Sequence, residues 1–230
     1  MHECLGDCDE HARIMVSEPD GVSLLVRCPL LSKDCQRGAD YEAEISKLAA
    51  ESVPRCVPKR FRREVENAAD TLAVDGARRW PGTGFLYIFG PTGTGKSYAA
   101  AWRVFWDLRC RLEQVWDQRS KWTEVSGTGT EWLSAFAVCL ERTNLYRAED
   151  APLLVLDDLG CEAASPANKA VLNELVSVRY NERRPTIITS NLDLPGLDHR
   201  YGSMRMYERI IQSNHVVDAG ITNKRLEDGE

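Results

Sequence analysis

By hydrophobic pattern, an irregular beginning gives way to a long stretch where short apolar runs alternate with helical periods. The alternation is regular from Phe85 onward. FLYIF (85–89) is a continuous apolar run, as expected of a strand buried on both faces. KSYAAAWRVFWDLRCRLEQVWDQR (96–119) repeats Trp, Val, Phe and Leu at three- and four-residue spacings, which predicts a long amphipathic helix. KWTEVS (121–126) reads as a weak strand and TEWLSAFAVCLERTNLY (130–146) as helical. LLVLDD (153–158) is a second strongly apolar strand. SPANKAVLNELVSVRYNERR (165–184) predicts a helix, with Ser165 as N-cap and Pro166 at its first position. PTIITSN (185–191) reads as a strand, MRMYERIIQ (204–212) as a short helix and HVVDAG (215–220) as a last strand. Repeated strand–helix alternation predicts an α/β fold with a parallel sheet covered on both faces.

The part before Phe85 is different. EPDG (18–21) reads as a turn between IMV and VSLLVR, so a short hairpin is expected. DYEAEISKLAAESV (40–53) has a helical pattern. PRCVPKRF carries Pro54 and Pro58 and reads as an extended linker. RREVENAADTLAVDGARRW (62–80) is helix-like again, and PGTG (81–84) breaks the chain before the first strand of the main domain. The expected organisation is a Cys-rich module over 1–40, a helical linker over 41–80 and a main α/β domain over 81–230.

The chemistry begins at GPTGTGKS (90–97), which fits G-x-x-x-x-G-K-[ST] between a strand and a helix. Gly90, Gly93 and Gly95, with Pro91, Thr92 and Thr94, form a loop whose backbone N–H groups can converge on phosphate oxygens. The helix that follows turns its positive end toward them. Lys96 is expected to reach the β- and γ-phosphates of ATP, and Ser97 to place its hydroxyl on Mg²⁺. LLVLDD then supplies acids at the end of a buried strand. Asp157 suits the Mg²⁺, directly or through water, and Asp158 suits orientation of the attacking water. Asn191, at the end of TIITSN, would face the γ-phosphate if its strand lies between the other two; Thr189 is the second choice. Arg205 and Arg209, four apart on a short helix, share a face from which one can reach a neighbouring subunit's nucleotide.

Composition adjusts this picture in three places. The 230 residues, 43% hydrophobic and 28% charged, suit a soluble globular chain with one substantial core. There is no apolar run long enough to cross a bilayer and no secretory pattern at the start, so a cytoplasmic location is expected. The net charge of −6 counts against a large basic nucleic-acid surface, although RFRRE (60–64) and ERR (182–184) concentrate positive charge locally. Reduced thiols make the eight cysteines candidates for metal ligands or core filler rather than disulfides. Cys4, Cys8, Cys28 and Cys35 form two pairs around the hairpin, suited to tetrahedral Zn²⁺ in a zinc-ribbon-like module, with His2 or His11 as a possible substitute ligand. Cys110 and Cys139 read as core filler.

GPTGTGKS, LLVLDDLGCE, VRYNERRPTIITSNL and YGSMRMYERI, in this order, resemble the DnaC/DnaI-type helicase loaders of the AAA+ ATPases, a set that includes the transposition helper ATPase IstB. The resemblance covers roughly 55–220, and CVPKRF looks like the linker of such relatives. It implies an AAA+ (ASCE) core, ATP and Mg²⁺ at Lys96 and Ser97, and a Walker B pair at Asp157 and Asp158. It also implies sensor 1 at Asn191 and a trans-acting arginine finger at Arg209, with Arg205 one turn earlier. The extra residue at Ser203 or Met204 leaves the choice between the two arginines open, and no sensor-2 arginine is assigned. The implied partners are a DnaB-type replicative helicase, single-stranded DNA and further copies of the chain in an ATP-dependent homo-oligomer. The implied activity is ATP hydrolysis that releases the helicase. A transposase-partner ATPase is the alternative within the same set. A small-molecule kinase, the alternative from another class, needs an acceptor pocket and usually a lid, and TIITSN followed by an arginine helix is not its pattern.

Overall fold

Five apolar runs pair into one sheet, and their order brings the candidate site residues together. The computed structural model describes residues 13–17, 23–27, 36–63, 65, 71–114, 129–202, 204–213 and 215–221. In chain order the elements are β1 (Arg13–Ser17), β2 (Ser23–Arg27), α1 (Gln36–Glu51), α2 (Lys59–Arg62), α3 (Leu72–Arg79), β3 (Phe85–Phe89) and α4 (Lys96–Gln114). There follow β4 (Thr130–Ser134), α5 (Ala135–Leu140), α6 (Arg142–Asp150), β5 (Leu153–Leu159), α7 (Pro166–Asn181), β6 (Thr186–Ser190), α8 (Leu194–Tyr201), α9 (Met204–Gln212) and β7 (Val216–Asp218). β1 and β2 pair antiparallel, as the hairpin pattern predicts. The other strands form a parallel sheet in the order β4–β5–β6–β3–β7.

Strand alternation divides the core in two. Leu86, Ile88, Trp132, Leu153, Val155 and Ile187 face one side, where α1, α3 and α4 cover them. Phe85, Tyr87, Leu133, Leu154, Leu156 and Ile188 face the other, under α5 to α9. The segment read from sequence as a helical linker, 41–80, supplies Ala49, Val53, Ala73, Val74 and Trp80 to the first of these clusters.

Several elements depart from the expectations. TEWLS (130–134) is the edge strand β4 rather than the start of a helix. β5 offers it a parallel partner, the Trp132 ring lies 5.8 Å from Phe61, and the Cys56 thiol donates to the Thr130 carbonyl at 3.1 Å. Tertiary pairing therefore overrides a helical periodicity that begins in earnest only at Ala135. Ser134 caps α5 by accepting from the Ala137 N–H at 3.1 Å, and extended backbone at Glu141 (φ −130°) separates α5 from α6. PRCVPKRF is not extended throughout, because Lys59–Arg62 forms the single turn α2 directly after Pro58. Nor is 62–80 one helix. Arg63 is extended, and Thr71 (φ −119°) starts α3 afresh, its hydroxyl accepting from the Val74 N–H at 3.1 Å. The helix α8 lies where none was expected, with Asp193 as N-cap and Gly202 as a left-handed C-cap. KWTEVS and residues 115–119 fall outside the described residues, as do His2, His11, Cys4, Cys8, Cys28 and Cys35 of the expected zinc module. Among the described residues no helix is long and apolar enough to cross a membrane, and no group of three or more His, Cys, Asp or Glu is placed to hold a metal.

The sheet end away from the phosphate loop is fastened by Arg179 of α7, which is 1% exposed. Its guanidinium donates to the carbonyls of Ala148 (2.7 Å), Ala151 (2.9 Å) and Pro185 (2.7 Å) and to the Thr186 hydroxyl (2.7 Å). Those acceptors lie at the end of α6 and at the start of β6. Burial lowers the Arg179 pKa to about 10, still far enough above neutrality to keep the charge. Arg179→Met is expected to take a donor from each of these oxygens, of which Pro185 keeps only the Leu154 N–H. The loss should be roughly 3 kcal/mol or more of unfolding free energy, read as a lower urea midpoint.

Candidate nucleotide-binding site

The phosphate loop leaves β3 at Gly90 and enters α4 at Lys96. Gly93 (φ 89°) and Gly95 (φ 84°) hold left-handed backbone that a side chain would strain. The parallel register brings the C-terminal ends of β3, β6 and β5 side by side, with β6 in the middle. This strand order is the condition set for Asn191 to face the γ-phosphate. Lys96 is 6% exposed. It donates to the carbonyls of Gly90 and Pro91, both at 2.8 Å, and to Asn191 Oδ1 at 2.9 Å. The loop lysine and the expected sensor thus meet directly.

The same alternation that builds the core aims the acids. Asp157 continues the parity of Leu153 and Val155, and Thr189 that of Ile187, so both face α4. Asp157 Oδ1 accepts from the Ser97 hydroxyl at 2.8 Å and from the Thr189 hydroxyl at 2.6 Å. Adjacent ligands of an octahedral Mg²⁺, each about 2.1 Å from the ion, stand about 3.0 Å apart. The Ser97–Asp157 spacing fits that requirement. Thr189, fully buried, also accepts from the Asp158 N–H at 3.0 Å. It is a brace beneath both acids rather than a surrogate for Asn191. Asp158 is exposed, lines the cleft and has left-handed backbone (φ 56°), at an irregularity in the β5–β6 pairing.

These groups open into a cleft of about 1080 Å³ whose lining includes Thr92, Gly93, Gly95, Lys96, Ser97, Asp158 and Asn191. Its other wall was not assigned from sequence: Lys59, Arg60 and Arg63, with Phe61 and Tyr98. The Arg60 guanidinium lies 4.4 Å from the Phe61 ring centre. The basic run RFRRE was the available signal, but only the fold shows that α2 packs on α4 beside the phosphate loop. With Lys96, these cations give the cleft the charge that a polyphosphate needs. Cys161 also lines it, its thiol 4.0 Å from Asn191 Nδ2. Burial, then the carboxylates of Asp158 and Glu162, push the Cys161 pKa up.

Arg205 and Arg209 are not among the cleft residues. Met206 and Ile210 bury one side of α9, leaving Arg205 exposed. Arg209 lies back on α7, donating to the Ser177 hydroxyl with its guanidinium 5.6 Å from the Tyr180 ring centre.

No protein-family model matches the chain. An insertion-sequence ATP-binding protein of Sinorhizobium fredii is 31% identical over 134 residues, which are 54% of this chain and 39% of the relative. The chain therefore spans well under half of that protein. A crystal structure of DnaI aligns with a TM-score of 0.46 at 22% identity, covering 79% of this chain and 93% of the solved one. A crystal structure of the DnaC helicase loader aligns with a TM-score of 0.43 at 21% identity, covering 69% of this chain and 85% of the solved one.

Cys161 offers a direct probe of the site. At ten times its dissociation constant, ATP with Mg²⁺ should slow alkylation of Cys161 about tenfold, measured by mass spectrometry of its peptide. Lys96→Ala should remove the protection. The raised pKa makes thiolate scarce at neutrality, so the unprotected rate should keep climbing as pH rises past the usual thiol range.

Proposed function

We propose that this chain is a P-loop ATPase that loads a replicative DNA helicase, with ATP bound between subunits and single-stranded DNA engaged by the assembly. The observation that best supports hydrolysis is the convergence of Lys96, Asn191, Ser97 and Asp157 at three adjacent strand ends. In this reading Lys96 and the loop backbone hold the phosphates, and Ser97 and Asp157 hold Mg²⁺. The ion supplies charge neutralisation at the phosphates. Asp158 polarises the attacking water and Asn191 orients it against the γ-phosphate. Arg209 of a neighbouring subunit stabilises the transferring phosphoryl group. To do so it leaves Ser177 and Tyr180, while Arg205 needs no such release.

The helicase as cargo rests on the resemblance to DnaC/DnaI-type loaders. The N-terminal cysteines, binding Zn²⁺, would form the docking module. A second reading, a transposition helper ATPase of the IstB kind, is favoured by the insertion-sequence relative. Affinity capture from the native host separates them: recovery of a DnaB-type helicase supports the loader, and recovery of a transposase the alternative. Rapid phosphorylation of a small acceptor, without DNA or partner, would sink both. Metal analysis of freshly purified protein tests the zinc module.

The arginine role has its own test. Arg209→Ala should preserve ATP binding and lower DNA-stimulated hydrolysis by about 10³-fold. Mixing it with Lys96→Ala subunits, also inactive, should restore hydrolysis. Failure of the mixture to recover, with Arg205→Ala recovering instead, would transfer the role to Arg205.

A further inference from the structure

Glu162 is a carboxylate that the nucleotide chemistry does not use, yet it is 3% exposed, four residues after Asp158. Burial of an acid is costly unless its oxygens are satisfied, and both are. One oxygen, Oε2, accepts from the Gly160 N–H at 3.0 Å. The other, Oε1, accepts from the Tyr201 hydroxyl at 2.7 Å and from Arg200 at 3.4 Å. Arg200 also donates to the Glu162 carbonyl.

The two oxygens face different parts of the machine. Gly160 belongs to the tight turn that begins at Asp158, closed by the Cys161 N–H donating to the Asp158 carbonyl at 3.1 Å. Asp158 (φ 56°) and Gly160 (φ 99°) both hold left-handed backbone there. For a non-glycine residue that conformation persists only when its surroundings enforce it. Arg200 and Tyr201 are the last residues of α8. Gly202 (φ 59°) follows them, and α9 with Arg205 and Arg209 begins at Met204. The Tyr201 hydroxyl, its pKa pushed up by burial and by the Glu162 bond, stays a donor.

We propose that Glu162 is a positioning residue for hydrolysis: it holds the Asp158 turn in its aimed conformation and ties that turn to the helix pair carrying the arginines. The inference rests on the ATPase reading above. Glu162→Gln keeps the shape but turns one of the two acceptors into a donor, which must then face the Gly160 N–H or the Tyr201 hydroxyl. Tyr201→Phe removes the shortest of the α8 bonds to the Glu162 carboxylate and leaves those from Arg200 in place.

The experiment measures kcat, nucleotide Kd, melting temperature and Cys161 alkylation for both variants. The expected result is a fall in kcat of at least about tenfold for Glu162→Gln, a smaller fall for Tyr201→Phe, and Kd within threefold of wild type. Cys161, inside the turn, should alkylate faster in both variants without nucleotide. A lower melting temperature with unchanged kcat and unchanged alkylation would overturn the proposal, because Glu162 would then be merely structural. A rise in Kd parallel to the fall in kcat would overturn it too. Wild-type protein that binds ATP without hydrolysing it would sink the ATPase reading instead. The alkylation rates would still decide whether Glu162 holds the turn.

Discussion

A carboxylate at the end of a buried strand is costly unless neighbouring elements donate to its oxygens. Asp157 meets this constraint with one hydroxyl from the helix after the phosphate loop and one from the strand next door. Each donor reports that an element is in place: Ser97 requires α4 to start where β3 ends, and Thr189 requires β6 to run beside β5. If β6 slipped by one residue against β5, Thr189 would turn to the opposite face and leave the acid. Sheet order, loop geometry and the position of Lys96 therefore stand or fall with this one group. The hydroxyl and the carboxylate are also oxygen donors of the kind that a hard divalent ion takes.

Local pattern made much of this legible. The phosphate loop, the LLVLDD strand and the TIITSN strand each carry their own signal, and alternation settles which side chains share a face. Other features depend on distant chain segments. β4 follows a helical pattern and becomes a strand because β5 offers it an edge. Thr189 reads as a spare sensor until parity places it under Asp157. The break between α2 and α3 occurs at Arg63 and Thr71, where no proline or glycine marks it. Lys59, Arg60 and Arg63 form a basic run that looks like ordinary solvated surface; packing of α2 on α4 turns three of its side chains toward the cleft.

That cationic wall also clarifies the acidic net charge. A total of −6 describes the chain as seen from beyond a Debye length, about 8 Å at physiological salt. Within the cleft the local field decides, and it is set by Lys96 and the residues of the α2 turn. Overall acidity and a polyanion site coexist because screening separates the two scales.

Arg179 carries a consequence for how such chains are recognised. RYNERRPTIITSNL is among the stretches that most specifically mark the resemblance, and its first arginine spends its guanidinium on main-chain oxygens at the end of the sheet opposite the phosphate loop. Lysine, with three donors on one nitrogen, cannot replace a planar fork that serves several separated acceptors. The first half of the string, RYNERRP, is therefore a signature of architecture. A sequence could keep that half after losing every residue that lines the cleft, so it speaks for the fold, while activity has to be judged at the other end of the strand, at Thr189 and Asn191.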